Sequence, residues 1–378
     1  MEARQKARQA LDSWLVVRRL LPHGWEAQAR VLGALRRARH VPNARVLLRL
    51  LLLHLAGGCS LAETAARARQ AGWCQVTAAA VFWRLKAAEH WLRWMSEQLW
   101  RAERELPVTT NRRLLAVDAS TVTESGPTGS QWRLHYALNF ANLQCEFAEL
   151  TDLHGGETFR RVPLQPRDVV LGDRGYGNPP GVAHVVGAGA DVLVRINLSN
   201  LPLYQRGRGR VACRTRLRRL RVGRVQSWPV EVRTADRVIS GRLVALKKSR
   251  RAAWAARRVL RRRARNTGKA LQRQTLEAAS YVTLFTTLPA AAFPARRIAE
   301  WYRLRWQIEL AFKRMKSLMS FGQLPKHVAA SCRAWLHGKL LVALLSERLI
   351  AQAEALSPWG YPLDPASEPV AGDAIHAP

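Results

Sequence analysis

Apolar residues recur three and four positions apart from the start of the chain to about residue 105, in segments rich in Ala, Leu and Arg, with Pro22 and Pro42 the only prolines before Pro107. That spacing predicts a helical N-terminal domain. Within it Ser60 precedes Glu63 by the three positions of a capping box, Gly72 interrupts the pattern, and Thr77 opens a second periodic run through Val81, Leu85 and Ala88. Helix, short turn and helix suit a DNA-binding helix-turn-helix, and equally any two capped helices of a bundle. Trp83, Trp91 and Trp94 are expected in the core of this domain.

From about residue 112 the pattern changes to short apolar runs, Leu114 to Val117, Leu134 to Phe140, Phe147 to Leu150, Val169 to Leu171 and Val192 to Ile196, which read as strands. Strand-like pieces continue between roughly 196 and 285. They are followed by a basic amphipathic stretch, Lys247 to Arg273, with about a dozen Lys and Arg, a charge run typical of a solvated helix face. A strong helix is expected over about 295–320 and further helices to about 355. The Pro-rich end, Ser357 to Pro378, reads as a disordered tail.

Composition sharpens this picture. With 48% hydrophobic and 23% charged residues, the 378-residue chain has enough apolar surface for two or three cores, which excludes global disorder. Its 61 Lys and Arg against 27 Asp and Glu give a formal charge of +34, foreign to most enzymes of small metabolites and suited to a polyanion, above all nucleic acid. Arg far outnumbers Lys, a bias that favours bidentate phosphate contacts and also follows from a GC-rich genome. The five cysteines, Cys59, Cys74, Cys145, Cys213 and Cys332, lie far apart without a C-x-x-C pair, so reduced cytosolic thiols are expected instead of a zinc ribbon or a disulfide framework. The greasiest stretch, Val46 to Ala56, is short and interrupted by Arg49 and His54, so no membrane segment is expected.

In so basic a chain, an Asp directly after an apolar strand stands out, because a carboxylate there loses hydration unless a cation or hydrogen bonds offset the loss. Asp118 follows Leu114 to Val117, and Asp173 follows Val169 to Gly172. Singly, each reads as a turn or cap residue; together they suggest adjacent strands presenting carboxylates to one place. Glu309 supplies a third acid, and three carboxylates could cage Mg²⁺, which prefers oxygen ligands. At helical spacing Tyr302, Arg305, Glu309 and Lys316 fall within an arc of roughly 60°, beside an apolar face of Trp301, Leu304, Ile308, Phe312, Met315 and Met319. Taken alone, that helix reads as an ordinary amphipathic one whose Arg305 and Glu309 form a surface pair. Asp152, His154 and Glu157 would make a second ligand set, but a polar turn at a strand end accounts for them, and His135 has the same default.

The order Asp118, Asp173, then Tyr302-x2-Arg305-x3-Glu309-x6-Lys316 resembles the DDE transposases of bacterial insertion sequences, in the group with a Tyr-Arg-Glu-Lys signature. The similarity runs through Trp132 to His135, Leu150 to Asp152 with Gly155 to Glu157, Asp173 to Tyr176 and Leu284 to Pro289, covering about residues 110–320. The resemblance implies an α/β protein with an RNase H-like catalytic core interrupted by a mostly β insertion and preceded by an all-α domain. The boundaries are then 1–105 for the helical DNA-binding domain, 106–196 and 283–325 for the two parts of the core, 197–282 for the insertion with its basic helix, and 326–378 for C-terminal helices and tail.

It further implies Asp118, Asp173 and Glu309 as catalytic residues and ligands of two Mg²⁺ ions, with Mn²⁺ able to substitute, and Tyr302, Arg305 and Lys316 as DNA phosphate contacts. The expected partners are double-stranded DNA, as transposon ends and target, and a second copy of the chain in a synaptic complex. The expected location is the bacterial cytoplasm, at the nucleoid. Relatives that flip a base at the transposon end stack it on an aromatic residue; here that position aligns with Val282, and Tyr281, Trp254 and Trp228 are the nearby aromatics. The reaction expected is metal-dependent cleavage and strand transfer. The alternatives are an RNase H-like nuclease without strand transfer, and an inactive or domesticated transposase that only binds DNA.

Overall fold

The first strand, β1 (Leu114–Glu124), is longer than its apolar run, because β-branched Thr121, Val122 and Thr123 continue the extended backbone after the hydrophobic residues end. It is followed by β2 (Ser130–Asn139), β3 (Cys145–Asp152), β4 (Val169–Gly172) and β5 (Asp191–Arg195). The computed structural model describes residues 14–104, 112–124 and 130–355, apart from 198, 269, 319, 322 and 325–328. Pro107, Met319 and the expected tail from Ser357 lie outside the described residues.

The protein is a mixed α/β structure around one mixed sheet. Strand order is β3-β2-β1-β4-β5-β8-β7-β6, where β6 is Val225–Arg233, β7 Val238–Lys247 and β8 Tyr281–Thr286; the short β9 (Gln323–Leu324) pairs with the end of β1. β1, β2 and β3 form an antiparallel meander, whereas β1, β4 and β5 run parallel. β8 returns antiparallel to β5 and is extended by β7 and β6.

Before the sheet, the described residues form α1 (Trp25–Val31), α2 (Ala44–Leu55), α3 (Leu61–Gln70), α4 (Ala78–Ala87) and α5 (Glu89–Arg104), and residues 14–20 are helical as well. The two expected caps form. Ser60 Oγ accepts the Glu63 N–H at 3.1 Å and Thr77 Oγ1 accepts the Ala80 N–H at 3.2 Å, each satisfying a first-turn donor. Glu63 does not complete a reciprocal box; its side chain pairs with Arg67 instead. Trp91 is fully buried, stacked on Trp25, and Trp94 is half-buried. Trp83, expected inside, is 60% exposed on α4 with Lys86 Nζ 5.1 Å from its ring centroid. Its position there follows from α4 burying the opposite stripe, Val81 and Leu85.

The remaining helices are α6 (Pro179–Gly187), α7 (Cys213–Arg218), α8 (Arg250–Thr267), α9 (Arg273–Ala278), α10 (Ala295–Leu304), α11 (Trp306–Leu318) and α12 (Ala329–Ala355). The segment 197–282 is not mostly β: it contributes β6 and β7 to the common sheet and also carries α7, α8 and α9. The basic stretch is the exposed helix α8, of which Ala253 alone is buried. The helix expected over 295–320 is divided at Arg305, where the Arg305 N–H bonds to Tyr302 O and the Ile308 N–H to Arg305 O, a tighter i→i−3 pattern. The break leaves Leu304 39% exposed, although Ile308, Phe312 and Met315 are buried as the pattern requires.

One apolar cluster joins the N-terminal helices to α11, α12 and one face of β1–β3, with Leu47, Leu51, Trp91, Ala116, Tyr136, Phe312 and Leu341 among its members. Polar contacts reinforce the junction. Tyr136 Oη donates to Glu347 Oε1 at 2.8 Å, Arg333 Nε donates to Glu89 Oε1 at 2.7 Å, and Arg348 Nη2 donates to Leu99 O at 2.9 Å. All five cysteines are free, and among the described residues no helix is long and apolar enough to cross a membrane.

His337 of α12 is buried in this junction, and desolvation, with Arg93, Arg333 and His90 nearby, lowers its pKa from the ordinary 6.5 to about 3. A depressed histidine is neutral in the fold while the unfolded chain takes up a proton, so its contribution to stability is complete above about pH 6.5 and is lost as pH falls toward 3. We expect melting temperature to fall across that window by the equivalent of up to about 1.4 kcal/mol per pH unit, and His337→Gln to flatten the slope. Parallel slopes for the two proteins in a melting series from pH 7 to 4 would assign the acid sensitivity elsewhere.

Candidate active site

β1 and β4 pair in parallel with Ala116 opposite Leu171, so two residues further on Asp118 and Asp173 stand side by side at the carboxyl end of β4. Asp118 is not at a strand's end: β1 continues past it because β2 pairs with it throughout, Asp118 lying opposite Tyr136. Alternation along the strand puts Asp118 on the face of Ala116 and Tyr136, the face covered by α11. Tyr136 meets Phe312 of α11 edge to face at 5.9 Å, and Glu309 precedes Phe312 by one turn. The apolar seam thus carries Glu309 toward Asp118.

Arg305 completes the connection. Its Nη1 lies 3.4 Å from Asp118 Oδ2 and its Nη2 contacts Glu309 Oε1. The guanidinium is therefore no surface partner of Glu309 alone; its side chain is 16% exposed and bridges the two acids across the break between α10 and α11. Asp173 Oδ1 accepts the Gly175 N–H at 2.7 Å, which fixes the turn after β4. Asp118 Oδ1 accepts the Ala119 N–H at 2.8 Å. Burial raises the Asp118 pKa to about 7, and Asp173 and Glu157 add to the rise against the opposing Ala119 N–H and Arg305. An acid crowded in this way gains most from a bound cation.

Among the described residues, no three His, Cys, Asp or Glu side chains are gathered closely enough to hold a metal ion as they stand. Arg305 is the cation between two of them. The donor set is nonetheless all carboxylate, with Asp118 and Asp173 adjacent, which fits a hard divalent ion such as Mg²⁺ or Mn²⁺ once the guanidinium yields one of its partners. Tyr302 lies on α10 with its hydroxyl buried and without a hydrogen-bond partner, and Arg305 Cζ is 5.8 Å from its ring centroid. Lys316 is exposed near the end of α11, as is Lys313.

The sequence reading missed a group of cations beside the acids. Arg174 follows Asp173, Arg195 ends β5 and Lys248 follows β7, all at the carboxyl ends of strands that run in the same direction. Burial lowers the pKa of Arg174 and of Lys248, and each is pushed further down by Arg195. Only Arg174, inside the Asp-Arg-Gly-Tyr run, had a signal that could have found it. Asp152 has the turn role expected of it, its Oδ1 accepting the His154 and Gly155 N–H groups, and the buried His135 bonds through Nε2 to Thr151 Oγ1 at 3.0 Å. Of the aromatics near Val282, Tyr281 is buried and Trp228 half-buried; Trp254 on α8 is 57% exposed, with Arg258 Cζ 5.0 Å from its ring centroid.

A family profile described as the transposase DDE domain matches residues 109–345. The chain is 31% identical over 348 residues to the putative transposase InsL for insertion sequence element IS186A of Escherichia coli strain K12, a match covering 90% of this chain and 94% of that protein. The transposase for insertion sequence element IS421 of Escherichia coli is 31% identical over 349 residues, with the same two coverages.

Proposed function

From the premise that this chain belongs to the DDE transposases of insertion sequences, enzymes that act on DNA, we propose that it binds the terminal inverted repeats of its own element, cuts them and joins them to target DNA. The observation that supports this reading best is the convergence of Asp118 and Asp173 on neighbouring parallel strands with Glu309 tied to Asp118 through Arg305. In this reading β1–β5 with α10 and α11 form an RNase H-like core, interrupted by residues 197–282, and the antiparallel β1–β3 meander joined to parallel β4 and β5 supports it.

Asp118, Asp173 and Glu309 would hold two Mg²⁺ ions, which when bound would supply activation of a water or a DNA 3′-hydroxyl and stabilisation of the leaving oxygen in an in-line displacement at phosphorus. Tyr302, Arg305 and Lys316 position phosphates of the scissile strand, which fixes the reacting atoms without a covalent enzyme intermediate. The capped pair α3–α4 reads the transposon end, presenting the exposed face of α4 with Trp83. Two copies of the chain bring the two ends together.

The deciding experiment incubates the purified chain with DNA carrying the repeats that flank its gene, Mg²⁺ and a target plasmid. Cleavage at the element boundary followed by joining is expected. Cleavage without joining would make it a nuclease, and binding without cleavage a DNA-binding protein.

The phosphate clamp has a test of its own. Arg305→Ala and Lys316→Ala are expected to lower end cleavage on the order of a hundredfold with the fold intact, since small misplacements of the reacting atoms are costly. Lys313→Ala removes the same charge from the same helix and should change cleavage about twofold or less. Equal mild losses for all three, measured beside thermal melting and end binding, would leave only a generally basic helix.

A further inference from the structure

Glu157 belongs to none of the groups named in the signature. It lies in the loop between β3 and β4, and since Asp152 supplies the turn after β3, Glu157 has no part in that turn. The loop is clamped where it carries Glu157. Two residues on, Phe159 is fully buried, its ring centroid 5.0 Å from that of Tyr176, and its Cζ would stand 2.6 Å from a Cβ placed on Gly172 at the end of β4. On the other side, Arg133 Nη1 donates to Gly155 O at 2.8 Å. These two anchors deliver the Glu157 carboxylate to the turn that carries Asp173.

Gly175 records how close it comes. A Cβ on that glycine would lie 2.1 Å from Glu157 Oε2 and 3.2 Å from Asp173 Oδ1. Two acid oxygens therefore crowd one point, and only glycine leaves room for both; the requirement there is space, not a left-handed backbone. The hydroxyl of the following residue, Tyr176, is an independent sign. Tyr176 is fully buried, its Oη has no hydrogen-bond partner, and the charges of Asp118, Glu157 and Asp173 all act on it. A buried donor without a partner, within the influence of these acids, points to a ligand beside them.

We propose that Glu157 is a fourth carboxylate of the metal site, sharing with Asp173 one of the two divalent ions. The inference rests on the reading of Asp118, Asp173 and Glu309 as metal ligands. Two divalent ions carry four positive charges, which three carboxylates leave unbalanced and four neutralise. Gly175 then acts through its smallness: it admits the fourth acid to the site.

The test is a Mn²⁺ titration of the full chain without DNA, followed by electron paramagnetic resonance of the free ion, on wild type, Glu157→Gln, Gly175→Ala and Asp118→Asn, each checked by thermal melting. Wild type is expected to take up two ions. Glu157→Gln should melt like wild type in metal-free buffer, yet bind one ion at least about tenfold more weakly, with end cleavage reduced at limiting Mn²⁺ and partly recovered at excess. Gly175→Ala should reproduce the weakened ion, because its methyl displaces the carboxylate. A wild-type titration for Glu157→Gln while Asp118→Asn loses metal would overturn the role of Glu157 and leave the three-acid reading standing. Unchanged titrations for both variants would remove the three-acid reading itself.

Discussion

Asp118→Asn is expected to reduce cleavage of end DNA on the order of a thousandfold or more, equivalent to about 4 kcal/mol of transition-state stabilisation, with end binding almost unchanged. Asn keeps the size of the side chain and the oxygen that accepts the Ala119 N–H, so the local backbone has no reason to move. What disappears is the negative charge beside Asp173 and one of the two partners of Arg305. Binding survives because phosphate contacts lie elsewhere on this basic surface, whereas chemistry at phosphorus needs the metal in place. In metal-free buffer above pH 7 the variant should melt no lower than wild type, since a carboxylate whose pKa is raised in the fold opposes folding once it ionises. Near wild-type cleavage by a homogeneous preparation would remove Asp118 from the active site.

Arg113→Ala is expected to lower stability by about 3–5 kcal/mol, on the order of 10 °C in melting temperature, with no direct role in DNA chemistry. Arg113 stands one residue before β1, and its side chain is 5% exposed. Its Nε and Nη2 hold both oxygens of Asp168 at 2.8 and 2.7 Å, and its Nη1 reaches Glu146 Oε2 on β3 at 3.1 Å. Glu146 also accepts from Asn139 Nδ2, and Asp168 from the Gln165 N–H. One guanidinium therefore joins β1, β3 and the approach to β4 from inside. Its removal leaves two carboxylates buried without a counter-charge, and such a break is far more damaging than replacing the whole group with apolar residues. The triple change Arg113→Met, Asp168→Asn, Glu146→Gln should recover most of the loss. A single-variant loss below about 1 kcal/mol would show that the acids find water or a proton cheaply.

β4 and β5 could be read in the sequence because each is a short apolar run buried on both faces: Val169, Val170 and Leu171 are fully buried, as are Val192, Leu193 and Val194. The carboxylate pair was legible for the same reason, an acid at the margin of a buried run. The extension of β1 beyond Asp118 was not, since the apolar run ends there and the strand continues through pairing with β2 and the burial of alternate residues, Ser120 and Val122. The helix around Arg305 was legible as amphipathic, but its division was not: no proline or glycine marks the break, and the turn is set by the partners of Arg305 across the site. Trp83 misled because bulk and apolarity are reliable guides to burial only on average, and α4 has enough smaller apolar residues to cover its inner face. Glu157 stood out in the sequence only beside Asp152 and His154, because its proximity to Asp173 depends on a loop anchored by the contact of Phe159 with Tyr176.

The long helix α12 shares its core with α2, α4, α5 and the outer face of the β1–β3 meander, and this has a consequence for how the molecule is made. On the ribosome α12 leaves the exit tunnel after every element it covers, so Leu47, Leu51 and Trp91 wait through the synthesis of more than two hundred residues for part of their packing. Until α12 is made, the apolar residues that it covers lack part of their packing. A polypeptide cut short by a frameshift anywhere before residue 329 would lack this closing helix, and it would be a substrate for proteolysis instead of a smaller working protein.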